Sequence, residues 1–306
     1  TEIYTLSLHD ALPIYSGAFR MASGIPHEAP AEEIESELIL DGTAEDEGSH
    51  DNDVSLSEEI VALQRDLNER KFLVKLSSRE TYPVVALTDG PLELFRDPKA
   101  NPQLSKLFEE YLLALENLAA LNTVTAGYVD RPRSDLVVRM LELMTLNEDQ
   151  FEQALKSNRQ LKYVTDLDLF REILQPGQRS VLFGIQSTSA SKFKDDLALH
   201  FFYINVGFPG APSLARVEIP NWVVKDNSLL SLLHFSLMEQ CRLLGSHPFP
   251  YALHRAHEIA VVRFEEKDEI TRMIIKEYVQ QGQDIPAFSN KQIHKDQSGI
   301  KKRYKV

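Results

Sequence analysis

The chain is 306 residues long, enough for one large domain or two small ones with a real apolar core. It holds one cysteine, Cys241, which excludes an internal disulfide framework and suits a reducing compartment. The net charge of −13 is local, because residues 28–59 carry thirteen Asp or Glu and no Lys or Arg while the rest balances, so a nucleic-acid partner stays open.

No apolar run approaches the roughly 20 residues that span a bilayer. The start also lacks the charged, apolar and small-residue pattern of a signal peptide. The expected location is cytoplasmic, with no membrane partner. Residues 2–14, EIYTLSLHDALPI, can be encoded by a read-through of a common sequencing adapter. Residues 1–14 are therefore set apart as an adapter-like artefact, and the natural start is expected upstream. Residues 15–56 are expected to be an acidic, partly disordered remnant of the N-terminal region. Within it, 37–40 reads as a short strand and 43–53 (TAEDEGSHDND) as a mobile loop.

A helix is predicted from Ser55 or Ser57 to about Leu76, with Glu58 and Glu59 in its first turn, where the dipole favours acids. Ile60, Leu63, Leu67 and Val74 follow helical spacing, and Phe72, Leu73 and Leu76 widen the apolar face. Glu69 belongs to that side. An acid there needs a partner or a metal, and an i, i+4 pair with Arg65 meets the need as well as a metal does.

Residues 83–95, PVVALTDGPLELF, read as a short buried strand ending at Asp89, broken by Gly90 and Pro91. A carboxylate at the C-terminal lip of such a strand is a common place for a metal or a reacting group. An ordinary Asp-Gly turn is the alternative. A strong amphipathic helix follows at 103–121, then a strand at 123–128 (TVTAGY). Strand, helix, strand in that order predicts a parallel pair with a right-handed crossover. Arg131 and Arg133 at the second strand's exit suit phosphates, or are plain surface charges shaped by Pro132.

Helices are predicted at 134–145, 148–157 and 166–174, and strands at 180–186, 197–206 and 215–224. The last third reads as helices at 229–244, 251–262 and 265–281. Cys241 falls in a helical pattern and reads as a buried structural thiol. His254 and His257 share a helix face three residues apart, as metal-binding pairs do, although satisfied core histidines are commoner. From Lys291 the tail has six bases against one acid and is expected to be a disordered basic tail, 291–306.

No Gly-rich phosphate loop, HExxH, GxSxG or CxxC pattern occurs, so nucleotide hydrolysis, zincin and serine-hydrolase chemistry lack support. Taken together and in order, RDLNERKF (65–72), VVALTDGPLELF (84–95), AGYVDRPRSDLVVRMLEL (126–143), PGQRSVLFGIQS (176–187), LHFFYINVG (199–207), RVEIPNWV (216–223) and PYALHRAHEIAVV (250–262) resemble the NurA nuclease family in its cyanobacterial-type branch. The likeness spans roughly 57–290, taken as the nuclease domain.

The resemblance implies an α/β, RNase H-like mixed sheet flanked by helices, with the first strand or strands expected to be missing. It implies a Mn2+-dependent DNA endo- or exonuclease, with Mg2+ as the alternative metal. The partners implied are DNA, a HerA-type hexameric ATPase and a second copy in a homodimer, acting in DNA end resection and double-strand break repair. Carried over motif by motif, the catalytic and metal residues are Asp89 in the Asp-Gly motif, Glu69 on the preceding helix, with Glu58 and Glu59 as alternatives, and His257 in its Ala-His context. Arg131 and Arg133 are the expected DNA-binding residues. Pro91 departs from the family's commoner Asp-Gly-Ser. The family's first Asp has no match except Asp41, whose spacing to Glu69 leaves little room for the intervening strands, so this chain is expected to be inactive as written. The rival reading is a non-catalytic DNA-end or translocase-binding adaptor on the same scaffold.

Overall fold

The apolar run ahead of Asp89 is a strand, β3 (Val85–Asp89), and the amphipathic segment after it is a helix, α2 (Pro102–Ala120). The chain then returns as β4 (Val124–Asp130), parallel to β3, with Val85 opposite Val124 and Asp89 opposite Tyr128. In this computed structural model the described residues are 11–22, 29–40, 58–95, 101–146 and 161–260, with Arg272 and Lys276. They fall into two compact units. One comprises Thr1–Phe72, Pro98–Phe108 and Arg255–Val306, the other Leu73–Asp97 and Glu109–His254.

The second unit carries a five-stranded mixed sheet in the order β3-β4-β7-β6-β5, flanked by helices. This α/β arrangement is consistent with an RNase H-like fold. β7 (Leu214–Pro220) runs antiparallel to β4, and Gly127 stands opposite Glu218. β6 (Leu199–Asn205) runs antiparallel to β7, and the two-residue β5 (Phe183–Gly184) lies antiparallel at its outer edge. Every residue of β7 is buried, as a central strand covered on both faces must be. α3 (Leu136–Met144) and α4 (Asp166–Ile173) cover one face, where Val137, Phe170, Phe201, Tyr203 and Leu214 form a core cluster. α4 begins with a capping box: the Thr165 hydroxyl accepts from the Asp168 N–H at 3.2 Å, and the Asp168 carboxylate accepts from the Thr165 N–H at 3.0 Å.

Two expected strands are shorter than their patterns. The one expected at 215–224 stops at Pro220, and Asn221–Lys225 is a short helix, α5. Pro220 has no N–H for the ladder, so pairing ends there despite the β-branched Val223 and Val224. Of the strand expected at 180–186, only Phe183 and Gly184 enter the regular ladder. Ser180 still ties back, its N–H donating to the Tyr203 carbonyl at 2.8 Å. Two helices follow, α6 (Asn227–Arg242), with Asp226 accepting from the Ser228 N–H at 2.7 Å as its cap, and α7 (Tyr251–Ala260). The helices expected at 148–157 and 265–281, the loop at 43–53 and the basic tail lie outside the described residues, apart from the helical positions Arg272 and Lys276.

The first unit holds an antiparallel ribbon of β1 (Ala11–Arg20) and β2 (Ala31–Leu40), with Ala11 opposite Leu40 and Arg20 opposite Ala31. The short strand read at 37–40 is thus the end of a ten-residue one, and residues 11–14 of the adapter-like stretch pair within the ladder. α1 (Glu58–Ser77) buries Ile60, Leu63, Leu67 and Phe72. Its polar side reaches the ribbon, where Glu37 accepts from Gln64 at 3.2 Å and from Asn68 at 2.5 Å. Gly17 fits against α7: a Cβ there would stand 2.6 Å from the Ala256 carbonyl oxygen. Among the described residues no helix is long and apolar enough to cross a membrane.

Candidate functional site

β3 is an edge strand whose side chains alternate between half-buried and buried until Asp89, which is exposed. Parallel pairing brings the C-terminal ends of β3 and β4 to the same edge, so Asp89 and Asp130 end neighbouring strands. Asp89 is level with Tyr128, and Asp130 follows Tyr128 by two residues, which puts both carboxylates on one face. The Asp130 carboxyl is pushed above its ordinary range, first by partial burial and then by the negative charge of Asp89, against the pull of Arg131.

The turn after Asp89 is tightly held. Gly90 takes φ +95°, and its N–H donates to the Tyr128 carbonyl at 2.8 Å. The chain then crosses Gly127 so closely that a Cβ there would lie 2.6 Å from the Gly90 oxygen and 2.9 Å from the Leu92 nitrogen. Beyond it the Leu92 and Glu93 N–H groups donate to Glu218 at 2.9 and 3.1 Å, and the Tyr111 hydroxyl donates to the Leu92 carbonyl at 3.0 Å. The buried Glu93 carboxylate accepts from the Ser187 and Ser189 hydroxyls, the latter at 2.6 Å.

At the exit of β4, Arg131 and Arg133 are both exposed on either side of the buried Pro132. Arg131 takes φ 45°, a left-handed conformation unusual for a non-glycine residue. Its Nε stands 3.9 Å from Asp130. The strand edge that carries two exposed acids therefore also carries two exposed guanidinium groups. Beneath it, Tyr128 and Cys241 are fully buried. Burial pushes the Cys241 thiol up to about 12, which makes it a poor nucleophile and fits the structural reading of that residue.

Glu69 and His257 belong to the first unit. Glu69 lies half-buried on α1, and its carboxyl is raised by burial and secondarily by Asp66, while Arg70 and Arg65 pull it down. Arg65 also stands 3.9 Å from Asp66. Glu59 is exposed in the first turn. His257 is exposed on α7, whose Arg255 pairs with Glu32 of β2 and with Glu258. Among the described residues no three or more His, Cys, Asp or Glu side chains gather as a metal cluster. The acids grouped at the sheet edge are a pair, Asp89 and Asp130.

Sequence reading missed Asp130, Arg216 and Glu218. Arg216 and Glu218 are buried and form a 2.6 Å ion pair inside an otherwise apolar strand. The signal was present, since two charges spaced i, i+2 between Leu214, Ala215, Val217 and Ile219 must share one face of a buried strand and need each other. Asp130 was passed over because it adjoins the more conspicuous arginines.

The model of the NurA domain family matches residues 3–262, beginning inside the stretch set apart as adapter-like. No curated protein and no solved structure matched the chain.

Proposed function

Because the chain belongs to the NurA nuclease family, we propose that it is a metal-dependent DNA nuclease, a phosphodiester hydrolase that acts in DNA end resection with a HerA-type hexameric translocase. The observation that carries this reading is the strand edge where exposed Asp89 and Asp130 lie beside exposed Arg131 and Arg133. Exposed carboxylates at a strand end suit a cation, and guanidinium groups beside them, Arg131 already paired with Asp130, suit the phosphates that the cation meets.

The donors fit a hard divalent ion. Carboxylate oxygens suit Mn2+ or Mg2+, and such ions commonly take only one or two protein carboxylates, with substrate phosphates and water completing the shell. When bound, the metal polarises the phosphoryl oxygens and makes water a better nucleophile. Asp89, and Asp130 with it, supply the charge that would hold the ion. Glu69 and His257 are proposed as further metal-bearing residues on the strength of the family resemblance. Arg131 and Arg133 are the residues proposed to bind the backbone phosphates. A homodimer is the proposed assembly, as the resemblance implies.

The test is digestion of linear duplex DNA by the full chain in MnCl2, with binding of the same DNA measured in parallel. Metal-dependent cutting supports the nuclease and overturns the expectation, drawn from the unmatched first Asp, that the chain as written is inactive. Binding without cutting in either Mn2+ or Mg2+ would favour the non-catalytic adaptor.

A further inference from the structure

We propose that Glu218 is a positioning residue for Asp89, clamping the loop that follows the Asp-Gly turn, and that Arg216 holds the clamp in place. This rests on Asp89 being a carboxylate of the proposed reaction. Glu218 sits in the middle of β7 and is fully buried. One of its oxygens accepts from two successive N–H groups, Leu92 at 2.9 Å and Glu93 at 3.1 Å, which lie three and four residues beyond Asp89. The other is 2.6 Å from the Arg216 guanidinium.

Three features make this a device for the loop and not only for the sheet. The loop reaches Glu218 because Gly127, its register partner on β4, has no Cβ to block the crossing. The other anchors of the same loop, from Gly90 to Tyr128 and from Tyr111 to Leu92, leave few ways for Asp89 to swing. The clamp also continues past Arg216, whose Nη1 donates to the Ser134 hydroxyl at 3.3 Å. Ser134 lies 3.0 Å from the Tyr203 hydroxyl, which donates to Asp166 at 2.7 Å, and Asp166 accepts from the Val138 N–H at 2.9 Å. One polar chain, buried except at the half-buried Ser134, thus joins the Asp89 loop to the segment that carries Arg131 and Arg133.

A buried ion pair is a poor way to stabilise a sheet, since well-packed apolar residues often do as well. Its value here is geometric. Burial pushes the Glu218 carboxyl up, while Arg216 and the two N–H donors pull it back, so the carboxylate depends on the partners it positions.

The test compares the full chain with Glu218→Gln and with the double variant Arg216→Met/Glu218→Met, which removes both charges and keeps apolar bulk. Four readouts are taken: amide exchange at Leu92 and Glu93, Mn2+ binding followed by the electron-spin signal of the free ion, Mn2+-dependent DNA digestion and the melting temperature. The expected result is lost protection at those two amides, Mn2+ affinity weaker by about 10- to 100-fold, and partial recovery of cutting at high Mn2+. The double variant should show this with a melting temperature near that of the parent. Unchanged amide protection in both variants overturns the clamp. Lost protection with unchanged Mn2+ affinity overturns the positioning role and leaves a structural one. If the unsubstituted chain neither binds Mn2+ nor cuts DNA, the proposed function falls and the positioning role falls with it, a result read on the parent and distinct from either failure of the variants.

Discussion

The two halves of the five-stranded sheet use acids in opposite ways. In the parallel half, β3 and β4 end in Asp89 and Asp130, both exposed, and the Asp89 charge acts on the Asp130 carboxyl. In the antiparallel half, Glu218 lies mid-strand on β7, sealed from solvent and consumed by Arg216 and two backbone N–H groups. Position along the strand decides the outcome. A strand end leaves a carboxylate's lone pairs free for a ligand, whereas a strand middle forces them into internal partners or into protonation.

The sharpest way to break this contrast is to remove an acid from each half. Glu218→Leu leaves the Arg216 charge buried alone, and a urea midpoint should report a loss of about 3–5 kcal/mol. Asp89→Asn should stay within about 0.5 kcal/mol of the parent, as exposed substitutions generally do. An intermediate effect is expected at the crossing between the halves. Gly127→Ala drives a methyl into the Gly90 and Leu92 backbone, and thermal or urea unfolding should show about 1–3 kcal/mol of destabilisation.

The exposed edge should show itself in DNA binding and not in stability. Replacing Arg131 and Arg133 together by Ala removes two phosphate contacts, so the slope of log affinity against log salt should fall in magnitude by about 1.8. An unchanged slope would remove these arginines from the footprint. The finest prediction concerns the pair of acids. Because the Asp89 charge helps to raise the Asp130 carboxyl, Asp89→Asn should lower the Asp130 titration midpoint, as read by carboxyl NMR. The sign carries over to stability. A carboxyl raised on folding contributes stability present below its ordinary value and lost as pH climbs through the raised one, so that loss should shrink in Asp89→Asn.

Much of the second unit was legible in the sequence, because periodicity and turn chemistry agreed there. The β-branched run before Asp89, the apolar stripe of 103–121 and TVTAGY predict a parallel strand-helix-strand unit, and β3, α2 and β4 form one. What failed was local competition between signals. Val223 and Val224 suggest a strand, but Pro220 ends the ladder first. The ribbon of β1 and β2 was hidden because residues 31–37 alternate acids with apolar residues only weakly, and the first four residues of the pairing strand lay in a stretch set aside on other grounds. At the site, Asp89 was legible from its place before a Gly-Pro break, and Arg131 and Arg133 from theirs after a strand. Glu218 was not, since nothing in RVEIP says that its partners are the backbone amides of a loop 125 and 126 residues earlier.

The central claim is that Asp89, at the lip of β3, is a metal-bearing carboxylate of a nuclease and not merely the first residue of a turn. The direct measurement is Mn2+-dependent digestion of linear duplex DNA by the full chain and by Asp89→Asn, with melting temperatures taken on the same samples. Asn keeps the shape and loses the charge that a hard cation needs, so the account predicts cutting by the parent, none by the variant, and melting temperatures that agree. Equal cutting by both proteins would contradict it.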